Sequence, residues 1–332
     1  MRGARFSPDG PSYHHCVSRI LERRMLLTDQ EKDCFLETMR AAADFAGLEI
    51  LTYTILADHI HLLLHVPEVR EISEAEVLKR IKGLYGKARA TDVAMSLQGL
   101  RDEDHHDEAT TLLHSYTRRM GDLAEYMKIL MQRFTQSYNR RHHRRGTLWE
   151  DRFKSVLVEG APDAISTMAA YIEWNALRAG IVQDPGAYRF CGYGAALAGD
   201  PIARRGIKHI CRILGNTGNW TTCSRIIRAM MFMPDNPPTR RQQTELRKEI
   251  QTILEEGGKL SKVHLLHCRV RYLSDGVVLG SKAFVEHTFQ QHRDQFGVKR
   301  HTGARRPRYC DWGDLCTMRD LRLDPISLPA AH

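Results

Sequence analysis

The segment 48–66 constrains the fold of this chain more than any other part of its sequence. It is rich in β-branched, aromatic and leucine residues, and it is interrupted once, near Ala57–Asp58. A break inside such a run predicts two short strands rather than one long strand. Side chains two residues apart on a strand point to the same face of the sheet. We therefore expect His59 and His61, in the second strand, to lie side by side.

This histidine pair has a spacing that suits a metal ion. The rise of about 3.3 Å per strand residue places the two Cα atoms roughly 6–7 Å apart, so two imidazoles can converge on one cation. His65 has the same parity but lies about 13 Å beyond His61 by the same rise, so we do not expect it to be a third ligand. A polar sheet surface would show the same two histidines. The metal hypothesis therefore needs a third ligand from elsewhere in the chain.

A later helix, predicted over residues 163–179, offers that ligand and a reacting group. Tyr171, Asn175 and Arg178 recur at i, i+4 and i+7, so they align along one face of the helix. A phenol can attack phosphorus, a carboxamide oxygen can bind a hard cation, and a guanidinium can hold a phosphate. An amphipathic helix that packs its aromatic residues into the core would show the same spacing. Both interpretations stay open at this point.

A basic stretch with interleaved aromatic residues lies between these two motifs. The whole chain is basic as well, with 49 Lys and Arg against 40 Asp and Glu, which favours polyanionic partners. Positive charge beside aromatic rings is typical of proteins that bind single-stranded nucleic acid. A solvated charge run at the end of a helix is the alternative. The candidate nucleic-acid contacts here are Tyr138, Arg140, Arg141, Arg144, Arg145, Trp149 and Arg152.

Other elements can be placed from local signals. Residues 12–20 predict a strand, and Thr28 can cap a helix that ends at Gly47. A basic helix is expected from about Asp122 to Arg141, and a further strand over 153–158.

The chain as a whole divides by composition. We expect a first domain over 1–200, with a helical insertion at 69–120. Glycine, asparagine and proline then predict a linker over 201–238. Residues 239–332 predict a small helical domain, in which the helices flanking Asp275–Gly276 form either a helix-turn-helix DNA reader or a plain appendage.

Several classes of protein do not fit the sequence. No apolar run approaches the roughly 20 residues that a membrane span needs, and the first ten residues contain no apolar signal segment. The eight cysteines are scattered without a C-x-x-C pair, so zinc ribbons and redox motifs are not indicated. Free thiols suit a reducing compartment, so we expect a cytoplasmic protein.

Three segments in this order resemble a known family, the REP-associated tyrosine transposases, which belong to the HUH single-tyrosine transposases of insertion-sequence type. The resemblance spans about residues 12–195. Ala176 is a departure, since the family usually has proline there. The segments are Asp58-His59-Ile60-His61-Leu62-Leu63-Leu64, then 133–153, and then Tyr171-Ile-Glu-Trp-Asn-Ala-Leu-Arg-Ala-Gly180.

This resemblance implies a fold and a chemistry. The fold would be α+β, with a ferredoxin-like or RRM-like antiparallel sheet that carries helices on one side. Tyr171 would be the nucleophile, and His59, His61 and Asn175 would hold Mg²⁺ or Mn²⁺. From its position on the same helix face, Arg178 is expected to contact the phosphate. The enzyme would nick and rejoin single-stranded or hairpin DNA of REP type through a 5′-phosphotyrosine, without a nucleotide cofactor.

Two other functions remain open on the sequence. A metal-dependent nuclease would use the histidine pair without a covalent step, and a domesticated transposase would bind nucleic acid without cleaving it. Trapping of a protein–DNA adduct separates the transposase from both. The sequence leaves the oligomeric state and the recognised hairpin undefined.

Overall fold

The structure is a computed structural model that describes residues 10–68, 70–232, 240–256 and 258–328, together with Phe6 and Pro8. Its centre is a sheet whose first four strands come from the first half of the chain. The elements of this part are β1 (Ser12–Arg19), α1 (Asp29–Ala46), β2 (Glu49–Ile55), β3 (His59–Val66), α2 (Glu74–Tyr85), α3 (Lys87–Asp102), α4 (His106–Thr117), α5 (Leu123–Arg141) and β4 (Lys154–Val158).

Helix α1 shows how local sequence sets the element bounds. The Thr28 side chain accepts a hydrogen bond from the Glu31 backbone N–H, which satisfies a donor that the first turn leaves open. Gly47 ends the helix with a φ of 71°, a left-handed conformation that glycine adopts without a Cβ penalty. Both bounds agree with the prediction.

The four strands have the order β2-β3-β1-β4, and every neighbouring pair is antiparallel. Together with α1 and α5 this is a β-α-β-β-α-β arrangement of ferredoxin-like type. The expected α+β class is therefore confirmed. Alternation along β1 gives the sheet two different faces: Ser18 contacts Met131 of α5, whereas His15 faces the opposite side. The functional side chains lie on that opposite side.

The segment 69–120 contains three helices, α2 to α4, where a helical insertion was expected. Helix α2 packs against α1, so the insertion rests on the edge of the ferredoxin-like unit. Its buried side chains include Val77, Ile81 and Leu84.

The chain then returns across the other face of the sheet. The elements here are α6 (Pro162–Glu173), α7 (Asn175–Arg178), α8 (Gly192–Leu197), α9 (Pro201–Ile213) and α10 (Trp220–Met231). The linker expected at 201–238 is therefore wrong for its described part, because α9 and α10 occupy it. An apolar face of α9, with Ile207 and Ile210 buried, packs against β2. The composition cue at Gly215 and Gly218 marks only the turn between two helices. Pro234 to Pro238 lie outside the described residues.

The segment after residue 239 was expected to be helical and is mixed instead. Helix α14 follows strand β6 directly, and β6 separates it from α13, so a helix-turn-helix around Asp275–Gly276 is wrong. The elements are α11 (Arg240–Glu255), α12 (Lys262–His267), β5 (Arg269–Val270), α13 (Arg271–Asp275), β6 (Val278–Ser281), α14 (Lys282–Gln291), β7 (Leu315–Thr317) and β8 (Ile326–Ser327).

Strand β6 explains why this segment is not helical. It pairs in parallel with β4, and β7 pairs with β6, which extends the sheet to six strands. An edge strand presents unpaired backbone groups, and pairing with β6 satisfies those of β4. The short apolar run at Val277–Leu279 thus contributes to a strand because of its tertiary contact with β4. The first domain expected over 1–200 stays a prediction.

No helix among the described residues combines the length and the apolar character that a membrane crossing needs.

Candidate active site

His59 and His61 lie on one face of β3, as their spacing predicts. His59 is opposite Arg19 of β1, and His61 is opposite Val17. The two ring centroids are 5.2 Å apart. The side chain of His59 is 22% exposed, whereas His61 is 4% exposed. His59 therefore lies at the open end of the site and His61 in its interior.

A chain of hydrogen bonds fixes which ring nitrogens carry protons. His15 Nδ1 lies 2.7 Å from the Leu273 carbonyl oxygen, which can only accept, so Nδ1 of His15 donates. The Nε2 of a neutral His15 is then an acceptor, and Nδ1 of His61 donates to it across 2.8 Å. This leaves a lone pair on Nε2 of His61. The Nδ1 of His59 is bound in the same way to Asp58, at 2.6 Å.

Burial keeps the imidazoles of His15 and His61 neutral. It lowers the pKa of His15 to about 4, and it lowers the pKa of His61 well below its usual range. The nearby guanidinium groups of Arg178 and Arg19 lower the pKa of His61 further. A metal-binding histidine must be deprotonated at the ligating nitrogen. His61 satisfies that condition at neutral pH.

Tyr171 comes to this pair from helix α6. Its ring stands edge-on to His15, at 6.2 Å between centroids, and edge-on to His61, at 6.1 Å. The guanidinium carbon of Arg178 lies 4.1 Å from the Tyr171 ring centroid. The predicted single helix is interrupted at Trp174, which separates α6 from α7. The structure nevertheless brings the tyrosine motif and the histidine pair together.

Asn175 is held by the end of the preceding helix, α6. Its Nδ2 donates to the carbonyls of Tyr171 and Ile172, at 3.2 and 3.0 Å. These bonds use the amide nitrogen and leave Oδ1 as the atom that could bind a cation. The residue is 6% exposed. Its role as a ligand stays a prediction.

Arg178 is buried, and its guanidinium is used within the protein. It donates to the Tyr171 carbonyl at 2.7 Å and to the Leu266 carbonyl at 2.8 Å. Burial lowers the pKa of Arg178. In this arrangement Arg178 ties the Tyr171 helix to α12, and a phosphate contact would require its bonds to be exchanged.

The C-terminal segment covers Tyr171. The tyrosine is 3% exposed, and the space beside it is a cavity of about 50 Å³. Pockets that take small ligands are roughly 300–1,000 Å³. Residues that line this small cavity include Lys262, Leu266, Leu273, Trp312 and Leu315. We name the segment 262–315 the cover. The cover therefore leaves little of Tyr171 exposed.

The expected nucleic-acid residues divide into buried and exposed groups. Tyr138 is 5% exposed and stacks on His142, and Trp149 is 7% exposed with its indole N–H bound to Thr135. Neither ring is free to stack on a base in this arrangement. Arg141 forms an ion pair with Glu31, and Arg144 donates to the Thr147 carbonyl. The exposed members of the group are Arg140, Arg145 and Arg152.

The chain segment between Arg145 and Arg152 meets β1 near the open end of the histidine pair. The backbone N–H of Glu150 donates to the Arg19 carbonyl at 2.9 Å, and Trp149 forms a β-bridge with Ile20. Since Arg19 lies opposite His59 in the sheet, the basic segment is bonded to β1 at the end of the site where His59 lies. The two motifs thus share one edge of the molecule.

His15 and Asp58 are the residues that the sequence analysis missed. Asp58 adjoins the pair in sequence, so its contact with His59 was within reach. His15 is contributed by β1, and its role depends on the β1–β3 register, in which it stands diagonally from His61. The available signal was a histidine within the predicted strand 12–20.

Two of three comparisons with known proteins gave a match. A family model described as "Transposase IS200 like" matches residues 11–96. Among solved structures, the chain is similar to a REP-associated tyrosine transposase bound to a REP hairpin, at 15% identity and a TM-score of 0.38, over 61% of this chain and 90% of that one. The comparison with curated proteins gave no match. The transposase resemblance is therefore confirmed for the segment 11–96, which carries His15, His59 and His61.

Proposed function

We propose that this protein is a transposase that nicks and rejoins DNA, with Tyr171 as the nucleophile and a divalent metal on His59, His61 and Asn175. The observation that carries the proposal is the hydrogen-bonded series from Leu273 through His15 to His61, which leaves a ligating nitrogen beside the Tyr171 helix. A polar sheet surface would not need a buried neutral imidazole held in one tautomer.

The residues of the site fit a divalent cation. Both Nδ1 atoms of the pair are engaged, by Asp58 and by His15, so both Nε2 atoms are available. Partners that orient the ligands in this way are typical of metal sites. Two nitrogens and the carboxamide oxygen of Asn175 suit Mg²⁺ or Mn²⁺ with water completing the shell. When bound, the ion would polarise and orient the scissile phosphate.

The proposed reaction exchanges one phosphate ester for another. The phenolic oxygen of Tyr171 forms a bond to phosphorus, and the bond from phosphorus to the 3′-oxygen breaks. The phenolic proton ends on the 3′-hydroxyl, so atoms and charge balance. The product is a 5′-phosphotyrosine, and a 3′-hydroxyl of another strand can reverse the step. No nucleotide cofactor is required.

Movement of the cover is part of this proposal. The cover is held to the site by the hydrogen bonds that join His15 to Leu273 and Arg178 to Leu266. If the Arg178 guanidinium exchanges the Leu266 carbonyl for a DNA phosphate, opening of the cover and substrate binding become one event. Charge-assisted bonds to phosphate are stronger than bonds to a neutral carbonyl, which favours this exchange.

The substrate we propose is single-stranded or hairpin DNA. The segment 148–150, which lies between the exposed Arg145 and Arg152 in the chain, is bonded to the end of β1 next to His59, and Arg140 is exposed at the end of α5. A strand whose backbone lies along these arginines would place a phosphate at the histidine pair. This part of the proposal rests on charge, since Tyr138 and Trp149 are buried.

Cleavage of a labelled hairpin oligonucleotide in Mn²⁺ tests the proposal. His61→Ala should abolish cleavage and leave DNA binding largely intact, and EDTA should abolish wild-type cleavage. The matched control is His287→Ala, which removes an exposed histidine of α14. Full cleavage by His61→Ala, or by wild type in excess EDTA, would show that the site is misassigned.

A DNA-binding protein without cleavage is the second candidate. The burial of Tyr171 at 3% exposure favours it, because a regulator needs no access to the phenol. Hairpin binding without any covalent adduct, under conditions in which the cover opens, would select this alternative.

A further inference from the structure

A second group of ligand-type side chains lies on the same sheet face as His59 and His61, near its opposite end. Glu49 of β2, His65 of β3 and Tyr13 of β1 stand side by side on adjacent strands, since Glu49 pairs with His65 and His65 pairs with Tyr13. His209 of α9 reaches the same point. His65 is four residues from His61, or about 13 Å along the strand, so the two groups are separate.

The ligand atoms of this group already converge. Glu49 Oε2 lies 3.0 Å from His65 Nδ1 and 2.8 Å from His209 Nδ1. One atom from each of these three residues lies within 4.8 Å of the others. Metal–ligand bonds of about 2.0–2.1 Å in a tetrahedral zinc site imply ligand atoms roughly 3.3 Å apart. The two distances from Glu49 lie within about half an ångström of this value, and the two histidine nitrogens would move toward each other to hold the ion.

Tyr13 orients both histidines of the group. Its hydroxyl lies 3.2 Å from His209 Nε2, and its ring stacks on His65 at 4.6 Å between centroids. If Nδ1 of His209 binds a metal, its Nε2 carries the proton and donates a hydrogen bond to the Tyr13 hydroxyl oxygen. A hydrogen bond on the far ring nitrogen is what metal-ligating histidines usually have.

The fold also fixes the approach of α9. A Cβ on Gly206 would lie 2.3 Å from the Ile50 carbonyl oxygen, so only glycine lets α9 approach the β2 backbone this closely. Gly206 faces the irregularity between Ile50 and Thr52 in β2. His209, three residues later on the same helix face, is thereby set over Glu49.

The site is accessible to solvent. Glu49 and His209 line an open cavity of about 720 Å³. The Glu49 carboxylate accepts a hydrogen bond from each of the two histidines. Among the arginines of the cavity wall, Arg40 pairs with Asp200 and Arg80 pairs with Glu76, whereas Arg205 and Arg212 add positive charge.

We propose that Glu49, His65 and His209 form a second metal site, which takes Zn²⁺ with water or an anion as the fourth ligand. Two histidines and one carboxylate are a ligand set that zinc uses in proteins. The ion would join α9 to the edge of the sheet, replacing the two Nδ1 protons that now bridge the residues. This proposal does not depend on the function proposed for Tyr171.

Zinc titration in the His59→Ala background tests this site without the other. Bound zinc is counted by mass spectrometry of the metal after gel filtration, and the affinity is measured by calorimetry. The background protein should bind one zinc per chain and gain thermal stability from it. His209→Gln and Glu49→Gln should each weaken binding by at least tenfold, and the stability gain should vanish.

Two further variants make the test specific. Tyr13→Phe should keep one zinc per chain but bind it roughly 10–100-fold more weakly, the usual effect of losing an orienting partner. His287→Ala should behave as the parent does. Equal zinc affinity in the parent, His209→Gln and Glu49→Gln would overturn the proposal, as would a parent that binds no zinc. Circular dichroism of each variant shows whether a loss of binding reflects a loss of fold.

Discussion

His61 donates a hydrogen bond from Nδ1 to Nε2 of His15, across 2.8 Å, and both imidazoles are almost fully buried. Since His15 in turn donates to the Leu273 carbonyl, the β1 strand and the cover together determine the tautomer of a residue on β3. The metal-binding capacity proposed for His61 is therefore a property of three chain segments and not of the His-x-His motif alone.

Loss of the hydrogen bond between His15 and His61 should weaken the metal site. His15→Ala removes the acceptor for His61 Nδ1, so the Nε2 lone pair is no longer enforced. We expect Mn²⁺ affinity to fall roughly 10–100-fold, measured by calorimetry. The matched control is His14→Ala, which removes the neighbouring buried histidine on the other face of β1. Equal Mn²⁺ affinity in the two variants would contradict the claim that His15 fixes the tautomer of His61.

The cover should open when DNA binds. Tyr171→Phe keeps the buried ring, so its complex with a hairpin oligonucleotide can be studied without cleavage. Amide hydrogen exchange over residues 262–267 should increase on addition of the hairpin, because this segment moves away from Tyr171 when the bond between Arg178 and Leu266 is released. The bond between His15 and the Leu273 carbonyl stays in place. Exchange in α1 should not change. If the segment 262–267 stays equally protected while wild type cleaves the same DNA, the strand reaches the site by another route.

The exposed arginines should set the salt dependence of binding. Each phosphate contact with single-stranded DNA contributes roughly 0.7 to the slope of log affinity against log salt concentration. Replacement of Arg140, Arg145 and Arg152 by alanine should reduce that slope by about 2. Arg89→Ala on the exposed side of α3 is the control. A slope unchanged in the triple variant would place the DNA elsewhere.

A buried carboxyl should make stability depend on pH. Burial raises the pKa of Glu173 from 4.5 to about 7, so ionised Glu173 costs the folded state roughly 3 kcal/mol. Below pH 4.5 Glu173 is protonated in both the folded and the unfolded chain, so the free energy of unfolding is not reduced. Between about pH 4.5 and 7 the unfolded chain ionises first, so the free energy of unfolding falls, and it stays lower at higher pH.

Glu173→Gln removes this dependence. At pH 8 the variant should be more stable than wild type, and at pH 4.5 the two should be similar, as measured by chemical denaturation. The Gln carbonyl can still accept from Thr52 and from the Tyr193 backbone N–H. Glu37→Gln, at an exposed position of α1, is the control. Parallel stability curves for Glu173→Gln and wild type would show that Glu173 does not titrate in this range.

The parts of the fold that depend on local sequence were predictable. Thr28 and Gly47 bound α1 through a cap and a left-handed residue, and both signals are local. The strand break near Ala57–Asp58 and the shared face of His59 and His61 follow from a period of two residues. These features can be predicted without knowing which residues pack against them.

The parts that depend on tertiary contact were not predictable. Val278 and Leu279 become a strand because the edge of β4 is beside them. Tyr138 and Trp149 have the composition of a stacking surface, but the packing of α5 against α1 buries both rings. The same limit applies to His15, whose partner is set by strand register, and to His209, whose position depends on Gly206 in α9.

The identity of the nucleophile is the central claim, and Tyr138 is the rival phenol. Tyr171 stands edge-on to His15 and His61, whereas Tyr138 stacks on His142 at the end of α5, near Glu31. Phenylalanine preserves the ring contacts at either position. Mass spectrometry of peptides from the wild-type protein, after reaction with a hairpin oligonucleotide in Mn²⁺, measures the attachment directly. We predict a 5′-phosphate adduct on Tyr171 that is absent in Tyr171→Phe and retained in Tyr138→Phe. An adduct on Tyr138, or one that persists in Tyr171→Phe, would contradict the account.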